Sequence, residues 1–302
     1  MLTSIRGICA ASFSTILLAS AAPVLAADNV SQDQNAQEQS GSETGVETGT
    51  VSAALVAPDV LLEATPKVER AGEPVDLANA NSLTEGSGLS VSGNVAFVTE
   101  YRFRGVDLSG GDFAVQGGFD VAHSSGLYVG AWGSNIDDDT VGFGSSELDI
   151  YGGWSGEVAN GLTADIGVIG YLYPDAGPGD FDYIEFYGSL SASLGPASIT
   201  GGAAYAPDQS SLGGTDNLYI YGDASVGIPT TPITLNAHLG YTDGFLTFTN
   251  DSKAVDWSIS ADVAAGPVTL SAAYVGVEGD ALVDPGKVFT DDAFVLSVSA
   301  SF

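Results

Sequence analysis

From Leu89 to Gly105 the chain alternates with a period of two. Odd positions such as Leu89, Val91, Val95, Phe97, Tyr101 and Phe103 are apolar. Even positions such as Ser90, Ser92, Asn94, Glu100, Arg102 and Arg104 are small, polar or charged. Side chains that change character at every second residue belong to a strand with two unlike faces. The stretch is longer than most strands of soluble proteins. It therefore predicts a strand that crosses a membrane, with Tyr101 and Phe103 towards lipid and Arg102 and Arg104 on the opposite face.

The pattern returns along the rest of the chain. Ile184, Phe186, Leu190 and Leu194 oppose Glu185, Tyr187, Ser189 and Ser191, and Phe294, Leu296, Val298 and Ala300 oppose Ser297, Ser299 and Ser301. Repeated in this way, the alternation predicts about twelve strands of roughly ten residues each, the length a tilted strand needs to span a bilayer. The facing of Leu127–Ile136 stays ambiguous. Short connections such as Val158–Gly161 and Ala265–Pro267 alternate with long ones such as Pro174–Asp182 and Glu278–Asp291. The expected fold is all-β, a transmembrane antiparallel up-and-down barrel over 89–302, with turns in the periplasm and loops outside. A soluble twelve-strand sandwich or solenoid is the rival. It would not need alternating loop lengths, and its polar face would not carry so many Asp, Glu and Tyr residues.

Composition narrows the remainder. The 302 residues hold 38 acids against 7 bases, a formal charge of −31, which excludes nucleic acid as a partner because phosphate contacts need Lys and Arg. Forty glycines suggest many tight turns. Residues 1–26 read as a secretory signal peptide, with Arg6, a short apolar run and small residues up to a cut after Ala26. The single cysteine, Cys9, lies within it, so the mature chain would use no disulfide. Residues 27–88 are acidic and poor in aromatics, as in a disordered tail. Val51–Ala64 is the exception and could form an amphipathic segment.

At Asn94–Asn135 the chain also resembles a known family. The runs Tyr101-Arg102-Phe103-Arg104-Gly105, Ala114-Val115-Gln116-Gly117, Ser125-Gly126-Leu127-Tyr128 and Trp132-Gly133-Ser134-Asn135 are similar to the opening of the TorF-type outer-membrane porins, which carry the Gcw_chp domain. The resemblance covers Leu89–Phe302. It implies a barrel and gives no catalytic residue to carry over.

Within such a barrel, 89–302 holds 27 acids and four bases, Arg102, Arg104, Lys253 and Lys287. Glu100, Arg102, Arg104, Glu147, Asp149, Glu185 and Asp256 are the candidate constriction, placed at similar height near the outer mouth. Carboxylates facing two arginines would favour cations, or would form a salt-bridge network that plugs a narrow barrel. Tyr151, Tyr173, Tyr187 and Tyr219 are the lumen aromatics. The expected function is an outer-membrane porin of a Gram-negative cell, passing small hydrophilic solutes or ions by diffusion, with cations preferred. A plugged structural or adhesive barrel is the alternative. A lipid-modifying enzyme is a weaker one: His123 lies at a short periplasmic turn, and no motif places a serine beside His238, which shares a face with Asn236 and Thr234. No cofactor and no metal are expected; Asp137-Asp138-Asp139 reads as a solvated loop. The expected partners are outer-membrane lipid, lipopolysaccharide, solutes and the barrel-assembly machinery, and a homo-oligomer is left open. A last strand ending in Phe302 resembles the signal by which that machinery recognises its clients. Deletion of Phe302 should lower the folded yield in the outer membrane, measured by heat-modifiable gel mobility; a normal yield would count against the signal.

Overall fold

The computed structural model describes residues 81–82, 88–177, 181–247, 249–281 and 289–302. The expected signal peptide, the segment Val51–Ala64 and nearly all of the acidic tail lie outside the described residues. Twelve strands make the wall: β1 (Leu89–Val98), β2 (Ala114–His123), β3 (Leu127–Asn135), β4 (Ser146–Ala159), β5 (Leu162–Leu172), β6 (Tyr183–Leu194), β7 (Ala197–Gln209), β8 (Thr215–Gly227), β9 (Ile233–Gly244), β10 (Thr249–Ala265), β11 (Val268–Ala281) and β12 (Ala293–Ser301). Each pairs antiparallel with its sequence neighbours. β12 then pairs with β1, from Ser297 opposite Val98 to Ser301 opposite Asn94, and the sheet closes. Below that seam Asn81–Ser82, assigned to the tail by composition, also pairs with β1, opposite Val91 and Ser90.

Closure gives the alternation its meaning. Outward positions are exposed and apolar, with Phe97 at 57%, Ile166 at 59% and Leu239 at 60%. An apolar surface that runs right round a chain far exceeds what a soluble monomer shows. With every strand paired, no backbone edge is left for lipid to meet. Outward aromatics cluster too: Tyr274 packs 4.6 Å from Phe294 and 5.4 Å from Trp257, ring centre to ring centre. The ambiguous stretch is resolved as well, with Leu127 and Val129 exposed and Tyr128, Trp132 and Ser134 buried inside.

One boundary differs from the sequence reading. β1 stops at Val98, and the residues after it turn into the barrel instead of continuing the wall. Arg102–Phe103 pairs with Val106–Asp107 as a small ribbon whose two-residue turn is Arg104-Gly105. Both turn residues have positive φ, 49° and 80°, as a hairpin of the primed class requires. Tyr101 and Phe103 are therefore 0% and 4% exposed, inside, and not towards lipid. Alternation shows extended backbone, and a ribbon limb is as extended as a wall strand.

Many glycines also do something other than turn the chain. Inward-facing Gly130, Gly153, Gly167 and Gly202 lie directly opposite Tyr151, Tyr128, Tyr187 and Tyr221 on neighbouring strands. A Cβ at each would come within 2.6 Å of that tyrosine's ring or hydroxyl. The tyrosines lie flat over the glycines, which lets large rings fill the interior without pushing the strands apart. At the long-loop end, the Asp175 carboxylate accepts hydrogen bonds from Ser146 Oγ (2.7 Å), from the backbone N–H groups of Ser145 and Ser146 (3.1 and 3.2 Å) and from the Ser145 hydroxyl. It thereby ties the β5–β6 loop to the start of β4.

Two tests follow from these contacts. Gly167→Val should force the Tyr187 ring off its seat and cost about 1–3 kcal/mol, as overpacking does. Gly201→Val, where a Cβ meets nothing within 4 Å, should not. The temperature at which the compact barrel band is lost on gels reads both, and equal losses would refute the ring-on-glycine packing. The bonds from Ser145 and Ser146 hold the Asp175 carboxyl down at about 2. A depressed carboxylate stabilises above its unfolded pKa of about 3.9 and loses that contribution as pH falls towards 2. Amide protection factors at Ser145 and Ser146 should therefore be steady above about pH 5 and drop between about pH 4 and 2. Equal protection at both ends would show that Asp175 is not the clamp.

Candidate lumen site

The site is built by the segment between β1 and β2, residues 99–113. Its root is held at the seam, where the Thr99 N–H donates to Leu296 O (2.9 Å) and the Leu296 N–H to Thr99 Oγ1 (3.0 Å). Asp107 stiffens the returning limb by accepting from the Ser109 N–H at 2.8 Å, and Ser109 Oγ accepts from the Tyr101 N–H at 2.9 Å. Tyr101 packs on Trp132 of β3, with centroids 5.7 Å apart, and Phe103 packs edge-on to Tyr171 of β5 at 5.9 Å. Across the barrel, a Cβ on Gly105 would sit 2.7 Å from Val277 Cβ and 3.1 Å from Asp256 Cβ. The tip therefore reaches the β10–β11 wall, and only a residue without a side chain can approach so closely. The ribbon spans the lumen.

Arg104, at the tip, is almost fully buried. Its Nη2 donates to Glu185 Oε2 at 2.7 Å. Its guanidinium carbon lies 4.2 Å from the centre of the Tyr219 ring and 4.7 Å from that of Phe103. Tyr171 Oη donates to the same Glu185 oxygen at 3.2 Å. Burying a charge is costly unless a counter-ion and hydrogen bonds meet it. Here one carboxylate and two ring faces do so.

Beyond Tyr219 lies a second cluster. Its hydroxyl is 2.8 Å from His238 Nε2 and donates to Asp256 Oδ2 at 3.2 Å. Both ring nitrogens of His238 face carboxylates at 2.7 Å, Nδ1 that of Asp223 and Nε2 that of Asp256. Towards the short-turn end the wall carries further polar clusters. Tyr128 donates to Asp165 at 2.7 Å and lies 2.6 Å from the Tyr187 hydroxyl. Tyr151 donates to Asp120 at 2.6 Å, and Asn236 to Asp262 at 2.8 Å. The inner surface is thus a chain of carboxylates, phenols and amides running from one end of the barrel towards the other.

The residues singled out from sequence fall into different roles here. Glu147, Asp149, Glu185 and Asp256 are buried on the inner wall. Glu185 meets Arg104. Glu147 accepts from the Tyr101 hydroxyl at 3.5 Å, and Asp256 belongs to the His238 cluster. Asp149 stands opposite Trp132 and Tyr171 in register. The two arginines do not sit side by side on one strand face, because they belong to the ribbon and not to β1. Arg102 pairs with Glu100 and donates to Gly105 O at 2.9 Å within its own segment, and reaches Phe289 O, before β12, at 3.5 Å. Only Arg104 crosses to the wall. Tyr151, Tyr187 and Tyr219 point inward as above, and Tyr173 is buried near the long-loop end, 5.1 Å from Phe143. The Asp137-Asp138-Asp139 stretch makes local bonds: Thr140 Oγ1 donates to Asp137 at 2.5 Å and the Gly144 N–H to Asp138 at 2.9 Å. His123 sits in an exposed turn beside Ser125. Sequence reasoning missed Tyr101 and Phe103 as lumen groups. The dipeptide Arg104-Gly105 was the available turn signal.

No curated protein matches the chain in sequence. Among solved structures it is similar to the NanC porin, with a TM-score of 0.49 at 9% identity, covering 70% of this chain and 98% of that one. The KdgM porin in complex with disordered oligogalacturonate gives 0.48 at 7%, covering 70% and 99%. The Salmonella typhi OmpF complex with daunomycin gives 0.39 at 10%, covering 72% and 99%. Likenesses as distant as these assign nothing. One family profile, described as "Bacterial protein of unknown function (Gcw_chp)", matches residues 82–302, and the chain belongs to that family.

Proposed function

We propose that the chain is an outer-membrane channel of the porin kind, with the 99–113 ribbon as its constriction and with cations as the preferred solutes. The family description names no activity and no TorF-type porin, so the reading rests on the molecule. The observation that carries it is the continuous polar and acidic lining inside a closed, apolar-surfaced barrel. An interior of aliphatic side chains would offer hydrated ions no path. This one places Asp120, Glu147, Asp149, Asp165, Glu185, Asp223, Asp256 and Asp262 there or at its ends, against Arg102 and Arg104. Carboxylates in a confined lumen raise the local concentration of cations and oppose anions. In this reading the short turns face the periplasm, the long loops face outward, Glu100 and the two arginines belong to the constriction, and Phe302 serves assembly.

The close packing around the ribbon favours a second reading, a plugged structural barrel, since Tyr101, Arg104 and Glu185 are nearly inaccessible. Planar-bilayer recording decides between them. The wild-type barrel should conduct in small steps with a reversal potential on the cation side. Arg102→Ala combined with Arg104→Ala should enlarge the steps and move the reversal potential further in that direction. Silence from both folded proteins would leave the structural reading. Conductance with an unchanged reversal potential would mean that the arginines do not face the path.

A further inference from the structure

The seat of Arg104 looks like a binding site filled by the protein's own chain. On the wall side it consists of the Glu185 carboxylate, the face of the Tyr219 ring and the Tyr171 hydroxyl that orients Glu185. A carboxylate edge beside an aromatic face is the arrangement that recognises a planar cation, which donates in plane and stacks out of plane. We propose that this seat is a binding site for guanidinium-bearing organic cations, which compete with Arg104 and release the ribbon from the wall.

Three observations make Arg104 a replaceable occupant. First, it uses the seat incompletely. Only Nη2 bonds to Glu185, while Arg104 Nε and Nη1 and Glu185 Oε1 are buried with no hydrogen-bond partner among the described residues. A free guanidinium can turn to present two parallel N–H groups to both carboxylate oxygens, the fork that a tethered side chain at this turn does not reach. Second, Arg104 is held at φ 49°, a left-handed conformation that residues other than glycine rarely adopt. The ribbon's own two-residue turn imposes it, so the hairpin that delivers Arg104 to the wall is itself strained. Third, the ribbon carries only two residue pairs of its own, Arg102 with Asp107 and Phe103 with Val106. Among the described residues, its backbone bonds to the wall and neighbouring loops are those of Thr99 at the root, Asp107 to Phe289 O and Leu108 O to the Asp137 N–H. None of these is at the tip.

Charge narrows the ligand. The region 89–302 carries 27 acids and four bases, so a solute with its own carboxylate is opposed on the way in, whereas a guanidinium with a second positive group is favoured. Agmatine has that chemistry and serves as the probe. The inference rests on the channel reading only for what happens to the solute after it binds.

Calorimetric titration of the refolded full chain in detergent micelles tests the binding. Arg104→Ala should bind agmatine at least tenfold more tightly than the double variant Arg104→Ala with Glu185→Gln, and more tightly than the wild type, where the built-in arginine competes. Butane-1,4-diamine, which lacks the planar head, should bind Arg104→Ala several-fold more weakly than agmatine. Should Arg104→Ala lose the compact gel mobility of the folded barrel, Arg104→Gln keeps the chain length without the charge and takes its place. Equal affinity with and without Glu185, or no agmatine binding by the charge-removed barrel, overturns the site. Bilayer recording separates this from the channel reading. Agmatine should block the current through Arg104→Ala at concentrations matching its calorimetric affinity. Binding without any conductance would remove the channel and leave the site; conductance without Glu185-dependent binding would remove the site and leave the channel.

Discussion

The pairing of β12 with β1 is the contact on which everything else depends. Until Ser297 meets Val98 and Ser301 meets Asn94, the sheet has two open edges and no inside. Once they meet, the alternation of each strand becomes a division of space. Leu, Ile, Val and Phe go outward, where lipid asks nothing of them but apolar contact. Ser, Asp, Glu and Tyr go inward, where each must find a partner. The seam is reinforced where it would otherwise fray. The Gly93 N–H donates to Phe302 O at 2.7 Å and the Phe302 N–H to Gly93 O at 2.9 Å, and Asn81–Ser82 continues the pairing beyond the chain's last strand. The terminal phenylalanine thus has a structural role in addition to any part in assembly.

Closure creates the interior problem that the tyrosines answer. A barrel of this size is too wide for short side chains to fill and too narrow for bulky ones to stand upright everywhere. Laying Tyr151, Tyr187 and Tyr221 across facing glycines puts a large ring close to the wall with its hydroxyl pointing along it. The hydroxyls of Tyr151, Tyr128 and Tyr219 then donate to Asp120, Asp165 and Asp256. The same residue fills volume and provides a donor to a carboxylate. A phenylalanine in these places would fill the space and take a hydrogen bond from the acid, which is the more expensive error in a low-dielectric setting.

Much of this was legible in the sequence because a period of two is insensitive to what surrounds the strand. The faces of Glu185 and Tyr187 against Phe186, or of Asp256 and Ser258 against Trp257, follow from neighbouring residues alone. The number of strands and the alternation of short and long connections follow similarly. What the pattern could not show is where a strand leaves the wall. Tyr101 to Gly105 alternates as well as Val91 to Phe97 does, yet one is ribbon and the other is barrel. The difference lies in the Arg104-Gly105 turn and in partners on β5, β6 and β8 that only closure brings together. Strand glycines were hidden for a related reason. Gly167 has no local signature; its purpose depends on Tyr187, which faces it from the next strand.

The choice of residue at position 104 carries the last step. A lysine at a buried hairpin tip would offer Glu185 a point charge with a strong hold on its own hydration, and would gain little from the Tyr219 and Phe103 faces. Arginine is more weakly hydrated, stays charged in any setting and stacks on both rings, so it tolerates the burial that the ribbon imposes. Yet its planar fork is only half used, because the turn that delivers it fixes the angle of approach. The ribbon tip is therefore held by a contact that is strong enough to order it and geometrically incomplete. That combination suits a ribbon that sits across the lumen without being part of the wall. A fully satisfied ion pair at the same place would make the ribbon a permanent strut, whereas this one leaves the Glu185 carboxylate with an oxygen still to be claimed.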